Sequence, residues 1–158
     1  ASIGEAQSIL PIIQKLNDDD KNLEFLITTV TLSAGNLIEK KITQYSHIRH
    51  RYFPLDVKFL MKKFLEKWSP SLIIFVDSEI WPNLLMEIKK MNSLMQIFVM
   101  TSHSTLPRVI QCMQGGAYDF FEKPLKIQDI LVSLGEASRR AIRWRDLYSR
   151  HSISTEGK

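Results

Sequence analysis

Apolar and polar positions along the chain alternate between two periods. From Glu5 to Leu16, the residues Ile9, Leu10, Ile12, Ile13 and Leu16 recur at helical spacing, with Pro11 early in the run. Asn17 to Asp20 is a polar stretch that predicts the end of this helix. Leu23 to Thr29 is rich in β-formers and predicts a buried strand. A helix over Ser33–Ile42 and a short strand at Arg51–Pro54 follow. Asp56 then stands where it would cap the next helix. That helix has Val57, Leu60, Met61, Phe64, Leu65 and Trp68 on one stripe and its lysines opposite.

Ser69-Pro70 breaks the helix, and Leu72–Val76 is the clearest buried strand. Pro82 suits the first turn of a helix running to Lys90. The pattern then predicts a strand at Gln96–Met100, a helix at Thr105–Met113 stopped by Gly115-Gly116, and a last strand at Tyr118–Phe121. A long helix from Gln128 to Tyr148 turns Ile130, Leu131, Leu134, Ala141 and Ile142 inward, and Ser152–Lys158 is a frayed tail. Strands alternating with helices imply right-handed βαβ units. The expected fold is α/β, a three-layer α/β/α sandwich with a parallel sheet, Rossmann-like or flavodoxin-like.

Composition narrows the setting. At 158 residues, 44% apolar and 24% charged, the chain suits one globular domain rather than a disordered one. The single cysteine, Cys112, has no intrachain partner, which fits a reducing compartment and a buried, inert thiol. Its longest apolar runs are strand-length, short of the roughly 20 residues that span a bilayer. The residues from Ala1 to Glu5 lack the charged and apolar blocks of a signal peptide. A cytoplasmic location is expected. The net charge of +4 is grouped in two places. One group is Arg49, His50 and Arg51 with Lys58, Lys62, Lys63 and Lys67; the other is Arg139, Arg140, Arg143, Arg145 and Arg150. Such groups suit an anionic membrane surface, although the commoner reading is the solvated face of amphipathic helices. Without an aromatic RNA-binding motif or zinc finger, no nucleic-acid partner is expected. His47, His50, His103 and His151 are too scattered for a metal motif.

Two segments carry resemblances. Ser2-Ile3-Gly4-Glu5, Thr28-Thr29-Val30-Thr31, the run Arg51-Tyr52-Phe53-Pro54-Leu55-Asp56 and the run Asp77-Ser78-Glu79-Ile80-Trp81-Pro82-Asn83 resemble the N-terminal domain of the Kdo (3-deoxy-D-manno-octulosonic acid) transferases. These are bacterial GT-B glycosyltransferases that modify lipid A, and the likeness covers about residues 1–90. Where that family would continue its next strand into an Asn-Ala-Arg motif, this chain reads Ile97-Phe98-Val99-Met100-Thr101-Ser102-His103. That segment, with Gly116-Ala117-Tyr118-Asp119-Phe120-Phe121-Glu122-Lys123-Pro124, resembles the last two βα units of a response-regulator receiver, over about residues 95–148. The arrangement matches an engineered or recombined chimera folded as one hybrid domain. Its Kdo-transferase-like part is 1–90, its receiver-like part is 91–150 and its tail is 151–158.

The first resemblance implies Glu5 as the base that deprotonates an acceptor hydroxyl, Glu79 as a second acid, and a lipid A precursor as acceptor. Read from the residues alone, Glu5 is a first-turn glutamate that steadies its helix, Glu79 orders a loop, and Trp81 packs beneath that loop or faces a lipid, core packing being the commoner outcome. A GT-B enzyme holds its sugar nucleotide mainly in a second domain. The sequence shows neither that domain, nor a Gly-rich phosphate loop, nor the family's membrane anchor, so no turnover by the isolated chain and no cofactor are expected. The second resemblance implies Asp77 as phosphoacceptor, Thr101 and Lys123 as its phosphate contacts, Phe120 as the switch aromatic and Lys123-Pro124 as a cis bond. A receiver also needs an acidic pair for Mg²⁺, which Asp18 to Asp20 cannot supply from the wrong end of the layer, so Mg²⁺ belongs to the receiver alternative alone.

In both families the first strand lies in mid-sheet, yet only Ala1 to Ile3 precede the first helix here. The strands at Leu23–Thr29 and Leu72–Val76 would each bond to it. Three arrangements are open: the two strands close up, a partner chain supplies the strand, or the residues belong to a longer chain. Self-association through the exposed edges is the expected outcome in solution.

Overall fold

The computed structural model describes residues 3–76, 82–91, 95–102, 105–124, 126–137, 139–140 and 143. Helices and strands alternate: α1 (Ile3–Asp19), β1 (Phe25–Thr29), α2 (Leu32–Ile42), β2 (Ile48–Tyr52), α3 (Lys58–Trp68), β3 (Leu72–Val76), α4 (Pro82–Met91), β4 (Gln96–Thr101), α5 (Leu106–Gly115) and β5 (Asp119–Glu122). A further helix, α6, covers 127–137. All pairings are parallel, in two sheets ordered β1-β2 and β3-β4-β5. The fold is α/β, as the alternation predicts.

The β3–β4 ladder runs from Leu72↔Gln96 to Val76↔Met100, so the sheet passes unbroken from one resembling segment into the other. The gap falls elsewhere. Among the described residues β1 pairs with β2 alone and β3 with β4 alone, so β1 and β3 have not closed up. Strand exposure follows from this. β4, flanked on both sides, is buried at all six positions, whereas in the equally apolar β3 only Phe75 is buried. The expectation of a buried strand at Leu72–Val76 is corrected accordingly: among the described residues, one of its edges has no neighbouring strand.

Helices cover both faces. Ala6 and Ile13 of α1 pack with Ile27 of β1 and with Ala34 and Ile38 of α2. Ile12 of the same helix packs with Phe98 and Met100 of β4 and with Ile130 and Leu134 of α6. α1 therefore bridges the two sheets. On the opposite face of β3, Phe75 packs with Met61 and Leu65 of α3, Leu84 and Ile88 of α4, and Cys112 of α5.

Several boundaries differ from the sequence reading, each for a local reason. α1 continues through Asn17 because that side chain is buried rather than in a turn. β2 begins at Ile48, three residues before the expected Arg51, and buries Ile48 and His50 on one side. His50 thus leaves the surface basic group, while Arg49 and Arg51 remain exposed. Val57 and Leu60 lie at the exposed edge of the α3 stripe, which turns inward through Met61 and Leu65. α3 ends at Ser69, whose φ of 40° is left-handed and whose N–H bonds to Leu65 O. α5 stops at Gly116, φ 98°, as Gly115-Gly116 predicts. In α6, Ile130 and Leu134 are buried as expected, and its continuation toward Tyr148 lies outside the described residues.

Candidate functional site

Ligands of parallel α/β sheets collect at the C-terminal ends of the strands, where helix N-termini also point. Glu5 lies in the first turn of α1, half-buried beside the fully packed Ala6. Its carbonyl accepts a 2.8 Å bond from the Ser8 hydroxyl. Both readings of Glu5 place a carboxylate there, where the helix dipole favours it. Asp77 and Glu79 lie outside the described residues, as does Trp81. Asp77 follows Val76, the last residue of β3, in the sequence.

In the receiver-like part, Thr101 ends β4 and is buried, and Lys123 directly follows β5. The Lys123 N–H donates to Thr101 O at 2.8 Å, so the two residues sit side by side at the C-terminal edge. The Lys123-Pro124 bond is cis. Phe120 stands opposite Val99 and packs against the α3–α4–α5 core. Next to it, the Asp119 carboxylate is held by the Ser133 hydroxyl of α6 and by the Phe120 N–H.

Two clusters escape a motif-based reading. In the first, Thr29 Oγ1 lies 2.8 Å from His50 Nε2, and His50 Nδ1 lies 2.9 Å from Glu39 Oε1. Hydroxyl, imidazole and carboxylate stand in series, as in a nucleophile relay. Thr29 is 1% exposed and His50 5%, so no substrate reaches the hydroxyl. A proton on Nδ1 lets His50 donate to Glu39 and accept from Thr29, which satisfies every buried group. The trio ties β1, β2 and α2 together. Its signal in the sequence is the alternation Ile48-Arg49-His50-Arg51, which puts His50 on the same side as Ile48.

The second cluster corrects the expected role of Asp56. The α3 N-cap is Val57, without a side-chain bond. Asp56 instead turns to α4: its Oδ2 accepts from Asn83 N at 3.3 Å and its Oδ1 from Leu84 N at 3.2 Å. The Asn83 amide nitrogen donates to Asp56 O at 2.8 Å. Two of the resembling motifs are thus joined, one capping the helix that the other begins.

Residues 1–103 match the family model described as 3-Deoxy-D-manno-octulosonic-acid transferase (kdotransferase). The chain belongs to this family. A mitochondrial protein of Arabidopsis thaliana named as a probable 3-deoxy-D-manno-octulosonic acid transferase is 35% identical over 85 residues, which is 54% of this chain and 19% of that protein. The transferase of Rickettsia prowazekii is 34% identical over 82 residues, 52% of this chain and 17% of its own length. The chain thus spans about a fifth of the length of these relatives. Similar solved structures include a signal receiver domain. NtrX from Brucella abortus gives a TM-score of 0.53 at 20% identity, covering 80% of this chain and 28% of that one. The signal receiver domain of a LuxO repressor protein from Vibrio parahaemolyticus gives 0.51 at 21%, covering 79% and 95%. At these identities the likeness is one of fold. Among the described residues of this Kdo-transferase family member, no helix is long and apolar enough to cross a membrane.

Proposed function

We propose that this chain is the acceptor-side domain of a Kdo transferase, recombined with a receiver-like βα pair, that meets a lipid A precursor at an anionic, cytoplasmic membrane face. The observation that carries the reading is a strip that begins at the end of the Arg51–Asp56 motif. Leu55, Val57 and Phe59 are 76%, 51% and 61% exposed, and Lys58, Lys62 and Lys63 stand exposed among them. Apolar side chains bedded among lysines suit an interface of acyl chains and phosphates. Glu5, at the mouth of α1, is the base for the acceptor hydroxyl, and Glu79 is the second acid.

The 158 residues alone do not turn over on this reading. Transfer needs donor and acceptor held together, and these 158 residues match about a fifth of the length of the transferases they resemble. Incubation with a lipid A precursor and CMP-Kdo is expected to give no product above a protein-free control. Product that vanishes in Glu5→Ala overturns the claim. Co-sedimentation with phosphatidylglycerol vesicles tests the membrane face, and Phe59→Asp is expected to release the protein from them.

A second reading is a receiver module phosphorylated at Asp77, favoured by Thr101 and Lys123 standing side by side. It requires Mg²⁺. Acetyl phosphate with Mg²⁺ would then add one phosphoryl mass, lost in Asp77→Ala; the first reading expects no such gain.

A further inference from the structure

β2 has two unlike sides. Ile48 packs into the core with α2, and His50 is buried beside it. Strand alternation turns Arg49 and Arg51, with Phe53 beyond them, to the opposite side. There they meet α3. The Phe53 ring contacts Phe64 edge-on at 5.6 Å, and the Arg51 guanidinium carbon lies 5.8 Å from the centre of the Trp68 ring. A second cation reaches the same indole, Lys67 Nζ at 5.7 Å. Trp68 is half-buried, whereas Arg49, Arg51 and Lys67 are exposed.

Two cations drawn to one ring repel each other, and the ring's negative face offsets only part of that repulsion. A neighbouring carboxylate would ordinarily complete such an arrangement. Among the described residues none pairs with Arg49, Arg51 or Lys67, and Glu66, the one acid of α3, lies 3.7 Å from Lys62. The Arg51 fork is already oriented. Its Nη1 donates to His50 O at 2.6 Å, which leaves the remaining guanidinium N–H groups for a ligand. Arg49 adds a third positive charge two residues back on the same side of β2, about 7 Å along the strand.

We propose that Arg51, Lys67 and the Trp68 ring form a binding site for a phosphomonoester. An oriented guanidinium fork matches two phosphate oxygens at once, and the lysine adds a point charge that can follow the ligand. A phosphomonoester carries close to two negative charges above its second pKa of about 6, which answers the two cations charge for charge. A sugar phosphate and a phosphomonoester lipid headgroup share this chemistry. The site does not rest on the membrane strip, because Phe59 lies nine residues, about 14 Å, along α3 from Trp68.

The test titrates the intact chain with glucose 6-phosphate and follows the Trp68 indole N–H by NMR, its resonance assigned with Trp68→Phe. A saturable shift is expected. Arg51→Gln and Lys67→Gln, both at exposed side chains, are each expected to weaken binding at least about tenfold. Arg51→Lys keeps the charge and loses the fork, so it weakens binding as well. Lys62→Gln, at a lysine with its own carboxylate, is expected to change nothing. Phe59→Asp, which probes the membrane strip, leaves the glucose 6-phosphate titration unchanged, so the two readings fail separately. Displacement of glucose 6-phosphate by phosphatidic acid vesicles supports a lipid headgroup as the carrier, and its absence supports a soluble phosphate. No saturable shift overturns the proposal. So does binding that Lys62→Gln weakens as much as Arg51→Gln, because positive charge in general would then account for it.

Discussion

Asp56 and Asn83 hold each other by exchange: the Asp56 carboxylate takes the Asn83 N–H at 3.3 Å while its carbonyl takes the Asn83 side-chain amide at 2.8 Å. With the Leu84 N–H bond, the carboxylate does for α4 what an N-cap side chain does, from the far side of α3.

Asp56→Ala is expected to cost about 1–2 kcal/mol, the usual cost of a lost N-cap, plus the loss of long-range anchoring. For a chain of this size each kcal/mol lowers Tm by about 2–4 °C. Denaturant unfolding with an unchanged m-value would check that stability alone has moved. Asn83→Ala should lose part of the same energy, and the two losses should add to less than their sum in the double variant.

This pair also shows what the sequence could and could not reveal. Both residues sit in runs that stand out as motifs, and Asp56 is recognisable as a helix cap by type. Its helix is not, because an aspartate before Val57-Lys58 looks local and only the folded chain brings α4 to it. The strands at β1, β3 and β4 were legible from their apolar runs. β2 was misplaced because its buried members, Ile48 and His50, are separated by an arginine, and three basic residues in four read as surface. The separation of β1 from β3 among the described residues was one of three arrangements that the sequence left open. The half-exposure of β3, by contrast, appears only with the neighbours in place. Of the site residues, Thr101 and Lys123 stand at strand-end positions that their order in the chain predicts, and Glu5 stands in the first turn of α1.

The Thr29–His50–Glu39 trio is expected to act as a structural clasp. His50→Ala would leave a cavity and an orphaned Thr29 hydroxyl, at a cost of about 2–4 kcal/mol. Thr29→Val should cost less, about 1 kcal/mol, and the double variant should show coupling above about 0.5 kcal/mol. Glu39→Gln retains an acceptor on an exposed side chain and is expected to change little. Strict additivity of the first two would show that the bond contributes nothing.

At the end of α1, Lys21 donates to Asp18 at 2.9 Å, and this bond, aided by the lysine's charge, holds the Asp18 carboxyl below its ordinary value. A carboxylate lowered by folding adds stability above its unfolded-state pKa, and that stability is lost as pH falls through the folded value. Both groups are exposed, so the contribution is small and salt screens it. An NMR titration should place the Asp18 midpoint below that of an exposed aspartate, and Lys21→Met should bring it back up. A midpoint unmoved by Lys21→Met would assign the shift to another cause.

Gly35 lets the Tyr52 ring lie down on α2. A Cβ at position 35 would stand 2.6 Å from the tyrosine hydroxyl and 2.7 Å from Cε1, closer than any real contact. The ring meets His50 edge-on at 5.0 Å, so it lies over the clasp as well as the helix. Two opposed effects follow from Gly35→Ala. Alanine favours a helix interior over glycine by about 1 kcal/mol, but here it must push the ring away from packing worth about 1.5–2 kcal/mol. Tyr52 is half-exposed and can swing outward, so the protein should fold with a net loss of about 0.5–1 kcal/mol. In a Tyr52→Ala background the obstacle is gone, and the same Gly35→Ala change should stabilise by about 0.5–1 kcal/mol. The reversal of sign, read from chemical denaturation of the four variants in the cycle, is the check. The same sign in both backgrounds would mean that the glycine serves the helix backbone and not the ring.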